Sequence, residues 1–138
     1  MNITNCQSVF LTKHGAPEVL KMMSSSISRP KEDEVQVKIK YAGINFADIM
    51  SRMGLYPTRL KVPYVPGMEI AGIVSYTGEN ISKDMVGKAV VGICKSGGYS
   101  DNVNVSANQL FTIDPKWLDV AASIPVNYLT AYFMMIHQ

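Results

Sequence analysis

Cysteine and histidine are scarce. The 138 residues hold two of each: Cys6 and Cys94, His14 and His137. The cysteines lie far apart and without metal-ligand spacing, which argues against a zinc ribbon and against a dense disulfide framework. A reduced intracellular chain is the expected state, with a Cys6–Cys94 bridge as the alternative. His14 falls in a Gly/Pro turn and is read as a surface histidine rather than a base; His137, next to the last residue, is given no role. Charge of one sign is also lacking. Thirteen Lys and Arg stand against 11 Asp and Glu, a net +2, and the basic residues are scattered, so nucleic acid is not expected as a partner. No apolar run approaches the ~20 residues that span a bilayer; the greasiest, VNYLTAYFMMI, is too short. MNITNCQSVF has neither a basic n-region nor a long apolar h-region, so no secretory signal is expected. Internal repeats are absent. So is the pattern G-x-G-x-x-G: Gly97-Gly98 lies between two expected strands, the wrong setting for a phosphate loop.

What is there reads as one domain of ordinary size. At 47% hydrophobic and 17% charged residues the chain can bury a core and is not of disordered composition. SVFL opens a strand. EVQVKIKY alternates, with Val35, Val37, Ile39 and Tyr41 to one side and Glu34, Gln36, Lys38 and Lys40 to the other, the pattern of a half-buried strand. IAGIVSY, MVGKAVVGIC, YSDNVNV and LFTI follow as strands separated by Gly/Pro corners. WLDVAASI and VNYLTAYFMMIHQ read as helices, with Pro125 between them. Short strands with glycine corners, one inserted helix and a helical exit predict a small bent β-barrel.

The inserted helix lies in GINFADIMSRMGLYP. Phe46, Ile49, Met50 and Met53 form one apolar face at helical spacing. Asn45 and Asp48 lie on another, with Arg52 four residues beyond Asp48 and placed for an ion pair. Two readings stand side by side. In one, Asn45 caps the helix, Asp48 closes a capping box and Gly54 stops it. In the other, Asn45 and Tyr56 face a cleft and Asp48 orients them. Cys94, Trp117 and the methionines read as packing residues, Trp117 in the core or at a domain junction.

The segments AGINFADIMSRMGLYP, PYVPGMEIAGIVSYTGEN and VNYLTAY, in this order, resemble the zinc-independent quinone oxidoreductase branch of the medium-chain dehydrogenase/reductase superfamily. Within it they are most similar to homologues of the synaptic vesicle membrane protein of the vesicle amine transport type. The resemblance implies an α+β fold, a GroES-like, partly open β-barrel with the Rossmann domain absent. Residues 1–125 would be the substrate domain, and residues 126–138 the start of a helix leading to a missing nucleotide-binding domain. It implies hydride transfer from NADPH to a quinone or enone, with Asn45, Tyr56 and Asp48 on the catalytic side and Asn45, Asn127 and Thr130 near the cofactor. It argues against zinc, because zinc-dependent members carry Cys where Asn45 stands and His where Met68 stands; Glu69 alone makes no zinc site and would be bonded to backbone or to Arg52. Such an N-terminal portion is expected to be inactive by itself. Dimerisation would run through the missing domain, and the location would be cytoplasmic, with peripheral association to vesicle or organelle membranes as a variant. The alternative function is a non-enzymatic interaction module of a vesicle- or membrane-associated protein. Tyr128 and Tyr132, with Met135 and Ile136, would form a stripe packing on the absent domain.

Overall fold

The structure, a computed structural model, describes residues 3–57 and 60–136; His137 lies outside them. Seven strands and three α-helices follow one another as β1 (Ile3–Leu11), β2 (Leu20–Ser28), β3 (Glu34–Ala42), α1 (Phe46–Met53), β4 (Glu69–Thr77), β5 (Ala89–Ile93), β6 (Asn102–Ser106), β7 (Leu110–Thr112), α2 (Leu118–Ala121) and α3 (Pro125–Ile136). β1 and β2 pair as an antiparallel hairpin, and the other strands form an antiparallel sheet of order β6-β3-β4-β5-β7. Two isolated bridges, Ser8 to Ser100 and Leu11 to Tyr64, stitch the hairpin to the rest. The two sheets do not close on each other, so the barrel expected from the strand pattern is the partly open one that the family resemblance implies.

Alternation on β3, β4, β5 and β6 puts Val35, Val37, Ile70, Val74, Val90, Val103 and Val105 into one core, with Cys94 beside them. Each such side chain contributes about 1.5–3 kcal/mol by leaving water. The other face of β4 and β5 carries Ala71 and Val91, and Ala121 and Ala122 pack on it. Small residues on both sides let α2 lie close to the sheet.

Several expectations need correction. Gln36 does not face solvent. It is fully buried because the hairpin covers that face, and its amide is satisfied: Nε2 donates to Ser28 O at 3.1 Å and to Asn104 Oδ1 at 3.0 Å, and Oε1 accepts from Thr4 Oγ1 at 2.9 Å. Tyr41 does not join Val35 and Val37 in the core. The β3–β4 register slips between Ile39 and Tyr41, the extra residue re-aims the strand end, and Tyr41 is exposed. Leu20–Ser28, not among the expected strands, is β2; its polar residues lie on a hairpin that is mostly exposed. Trp117 is exposed too, with Lys116 Nζ 5.6 Å from its ring. Pro125 does not break a helix but begins one, at a position where its missing N–H costs nothing. Both cysteines are buried free thiols.

Candidate functional site

The site is built around α1. Asn45, in extended conformation (φ −110°, ψ 157°), precedes the first turn, and Gly54 ends the helix in the left-handed region (φ 76°, ψ 16°), where a side chain would be strained. Asn45 and Asp48 form a capping box. Its firm arm is the Asp48 carboxylate, whose Oδ2 accepts from the Asn45 N–H at 2.9 Å. The Asn45 amide makes no side-chain cap hydrogen bond, because it is drawn to other partners. Nδ2 donates to Glu69 Oε1 at 2.9 Å, and Oδ1 accepts from Asn127 Nδ2 at 2.9 Å. Asn45 thus caps the helix through its backbone and belongs with its side chain to a buried polar cluster, rather than facing open space.

Glu69 is the centre of that cluster. It is 1% exposed, and its second oxygen accepts from the Val126 N–H at 2.8 Å. One carboxylate thus binds the amide before α1 and the first turn of α3. Its expected partner was Arg52 or backbone; the backbone partner is Val126, and Arg52 points elsewhere, its Nη1 donating to Gly15 O. Among the described residues Asp48 forms no ion pair with Arg52, and Lys116–Asp114 is the salt bridge present. The cluster tolerates no extra atom at Gly43: a Cβ there would lie 2.1 Å from Glu69 Oε1 and 2.6 Å from Ala122 O.

Next to the cluster lies a cleft of about 180 Å³ lined by Asp48, Ser51, Tyr56, Tyr64, Met68 and Lys95, with Leu60 and Pro66 among its apolar walls. Its volume is below the ~300 Å³ at which ligand pockets usually begin, so a bound molecule needs further contacts. Tyr56 and Asp48, both named as site candidates, line it together. Tyr64 and Lys95 were not among the expected site residues; nothing in local spacing marks them, since the Leu11–Tyr64 bridge and the turn after β5 bring them in. Burial, then the charge of Asp48, pushes the Tyr99 hydroxyl up, a hydrogen bond to Asp48 and the charges of Glu69 and Cys94 adding to it. Burial raises Tyr64 as well, against a lowering hydrogen bond to Ser51 and with the Asp48 charge adding. Both phenols stay protonated at neutral pH and remain O–H donors. The Cys94 thiol, pushed up to about 12 by burial first and Asp48 second, is no nucleophile. His14 is exposed, with Nδ1 3.2 Å from Ser51 O.

The site residues thus fall into two linked groups. Asp48 and Tyr56 share the cleft; Asn45 and Asn127 share the Glu69 cluster; the Asn45–Asp48 box joins them. Thr130 lies three residues beyond Asn127 on α3 and is exposed; no hydrogen bond ties it to either group among the described residues. The α3 stripe Tyr128, Tyr132, Met135 and Ile136 is exposed, as are Leu129 and Phe133. A groove of about 290 Å³ between β5, β7 and the start of α3 is lined almost wholly by apolar residues, Ile93, Phe111 and Leu129 among them. No cluster of three His, Cys, Asp or Glu occurs among the described residues, and none of their helices is long and apolar enough to cross a membrane.

Comparison with known proteins gives the fold a family. The chain is 35% identical over 132 residues to a synaptic vesicle membrane protein VAT-1 homolog of Danio rerio, covering 94% of this chain and 27% of that one. The crystal structure of human synaptic vesicle membrane protein VAT-1 homolog-like protein superposes with a TM-score of 0.92 at 27% identity, covering 97% of this chain and 44% of that one. Escherichia coli quinone oxidoreductase, solved in complex with NADPH, superposes at 0.87 with 34% identity, covering 94% and 40%. The chain spans less than half the length of these relatives. The alcohol dehydrogenase GroES-like domain family matches residues 31–115, and with the fold described above, the chain belongs to that family, within the medium-chain dehydrogenase/reductase superfamily.

Proposed function

We propose that this chain is the substrate-side, N-terminal portion of an NADPH-dependent, zinc-independent oxidoreductase acting on quinones or enones. The observation that carries it is the cleft lined by Tyr56, Tyr64, Lys95 and the buried Asp48, in a chain 34% identical to a quinone oxidoreductase solved with NADPH. A protonated phenol donates to a carbonyl oxygen, and an ammonium at the rim favours negative charge developing there. Tyr56 and Lys95 are assigned those roles. Asp48 accepts from the Asn45 N–H and orients the residues around it. Asn45 itself is 5% exposed, so it supports the site from behind, while exposed Asn127 and Thr130 on α3 are the groups that would meet the nicotinamide end of the cofactor. Bound NADPH would supply the hydride.

The donor set supports the zinc-independent reading. Both oxygens of Glu69 are occupied by N–H donors, the position beside it is an amide, and the nearest thiol holds its proton to about pH 12; a catalytic zinc needs about three anionic or imidazole donors. In this reading residues 1–125 are the substrate domain and α3 is the start of the path to a nucleotide-binding part.

The test is a titration of the 138-residue chain with 1,2-naphthoquinone and, separately, NADPH, followed by calorimetry. The quinone should bind saturably, and Tyr56→Phe should weaken it about five- to tenfold, the loss of one hydrogen bond of about 1 kcal/mol or somewhat more. NADPH should bind poorly, and no steady NADPH oxidation should exceed a no-protein control. Unchanged quinone affinity in Tyr56→Phe would remove the role given to that residue, and steady turnover would overturn the expected inactivity. A second reading, an interaction module on a vesicle surface, is favoured by the exposed apolar faces of α1 and α3; saturable binding of the chain to lipid vesicles with no quinone binding would select it.

A further inference from the structure

The chain of hydrogen bonds Glu69–Asn45–Asn127 has a direction. A carboxylate only accepts hydrogen bonds. Glu69 Oε1 therefore fixes which arm of the Asn45 amide points at it: the NH2, at 2.9 Å. The reverse placement would oppose two acceptors at that distance. Asn45 then presents its oxygen outward, and that oxygen can be approached only by the NH2 arm of Asn127, again at 2.9 Å. The remaining arm of Asn127, its Oδ1, takes no partner among the described residues and belongs to an exposed side chain. Meanwhile Glu69 Oε2 accepts from the Val126 N–H at 2.8 Å, so the same carboxylate pins the first turn of the helix that carries Asn127. Position and polarity of the Asn127 amide are set by one buried group 57 or more residues away in sequence. Gly43 leaves that group its room.

We infer that Glu69 is a positioning residue: through Asn45 and the first turn of α3 it holds Asn127 with its carbonyl oxygen toward the exposed side, making an acceptor that selects a primary carboxamide over a carboxylate. This rests on the nicotinamide reading given above and adds a specificity to it. An acceptor there welcomes the N–H of a nicotinamide carboxamide and repels the carboxylate of a nicotinic acid group. A glutamine at 69 cannot do the same work. Its one oxygen can serve Asn45 or Val126 but not both, and its NH2 either meets the Val126 N–H or turns the Asn45 amide around and, with it, Asn127.

The test has two readouts on the 138-residue chain. The first uses no ligand: exchange rates of the Val126 backbone amide and of the Asn45 side-chain amide by 15N–1H NMR. Both should be slow in the unmodified chain, and Glu69→Gln should speed at least one of them about tenfold. The second is titration with nicotinamide mononucleotide and with nicotinic acid mononucleotide. The amide should bind about tenfold more tightly than the acid, a difference of about 1.4 kcal/mol. Glu69→Gln should level that preference. Asn127→Ala, which leaves both Glu69 hydrogen bonds in place, should level it too while leaving Val126 exchange slow. The inference is overturned if Glu69→Gln leaves both exchange rates and the preference unchanged, or if the acid binds as tightly as the amide. If neither mononucleotide binds, the nicotinamide reading and the proposed selectivity both fail, and the ligand-free exchange rates decide separately whether Glu69 holds α3 and Asn45.

Discussion

Asp48 and Glu69 are the two acids buried in this fold, 7% and 1% exposed. A buried carboxylate without donors costs several kcal/mol; here Asp48 accepts from the Asn45 N–H, and Glu69 from the Asn45 side-chain amide and the Val126 N–H. Their negative charge is felt by the groups around them, and Cys94 shows the consequence. Its thiol titrates at about 12 in the folded chain against an ordinary value of 9.0, burial being the larger cause and Asp48 the next. Above pH 9 the unfolded thiol loses its proton and the folded one does not. The stability linked to Cys94 is therefore complete below about pH 9 and is lost as pH rises through 12. Tyr64 and Tyr99, also raised, steepen the same alkaline decline. Melting temperatures taken between pH 8 and 11 should fall, and Cys94→Ala, though less stable at pH 8 for want of the sulfur, should fall less steeply. A parallel decline would show that the thiol does not contribute. Iodoacetamide should leave Cys94 unmodified at pH 8 until the protein is denatured.

At the scale of the element, α1 is an inverted amphipathic helix. Its polar residue Asp48 is buried, whereas Phe46, Ile49 and Met53 of the apolar face are exposed, Phe46 by 74%. The helix is held by its caps and by the Asn45–Glu69 contact rather than by its greasy stripe. Phe46→Ser should then change stability by no more than about 0.5 kcal/mol, while Asp48→Ala should cost about 1–3 kcal/mol by leaving the Asn45 N–H unpaired. Urea melts of the two variants decide it; a larger loss for Phe46→Ser would mean that the apolar face is covered. The helix bounds, the capping pair and the Gly54 stop were legible because they depend on neighbours three to nine residues apart. Which face turns inward was not, since periodicity shows that two faces exist and leaves open what lies against each. The Arg52–Asp48 pair failed for a related reason: i to i+4 spacing permits contact, but Gly15 O offered Arg52 an acceptor from another segment. Asn127 was placed near Asn45 by resemblance alone, and their hydrogen bond spans 82 residues, a distance no local pattern covers.

For the whole molecule, strands with a strict alternation of branched apolar residues were readable, and those whose burial depends on the second sheet were not. Val35 and Val37 announce β3, whereas Gln36 and the serines of β2 make sense only once the hairpin lies over the sheet. The same division predicts how the fold opens. The five-stranded sheet holds the valine core, and the hairpin is attached to it through two isolated bridges, the Gln36 bonds and a few contacts such as Ser8 Oγ to Ser100 Oγ at 2.7 Å. On α3 Pro125 is the buried residue among those described, and the first turn is held by Glu69. Local stability follows buried apolar contact, and three tiers of backbone hydrogen exchange are expected. Amides of β3, β4 and β5 should exchange only with global unfolding. Those of β2, the outer strand of the hairpin, should exchange through a smaller opening that leaves the sheet intact. Along α3, Val126 should be slow and the amides from Leu129 onward progressively faster. Mass-resolved exchange on the 138-residue chain measures all three. If β2 exchanged as slowly as β4, the two sheets would unfold as one unit, and the partly open barrel would be more cooperative than its bridges suggest. If the last two turns of α3 were as protected as Val126, the exposed stripe would be covered in solution, and self-association through it would be the next thing to measure.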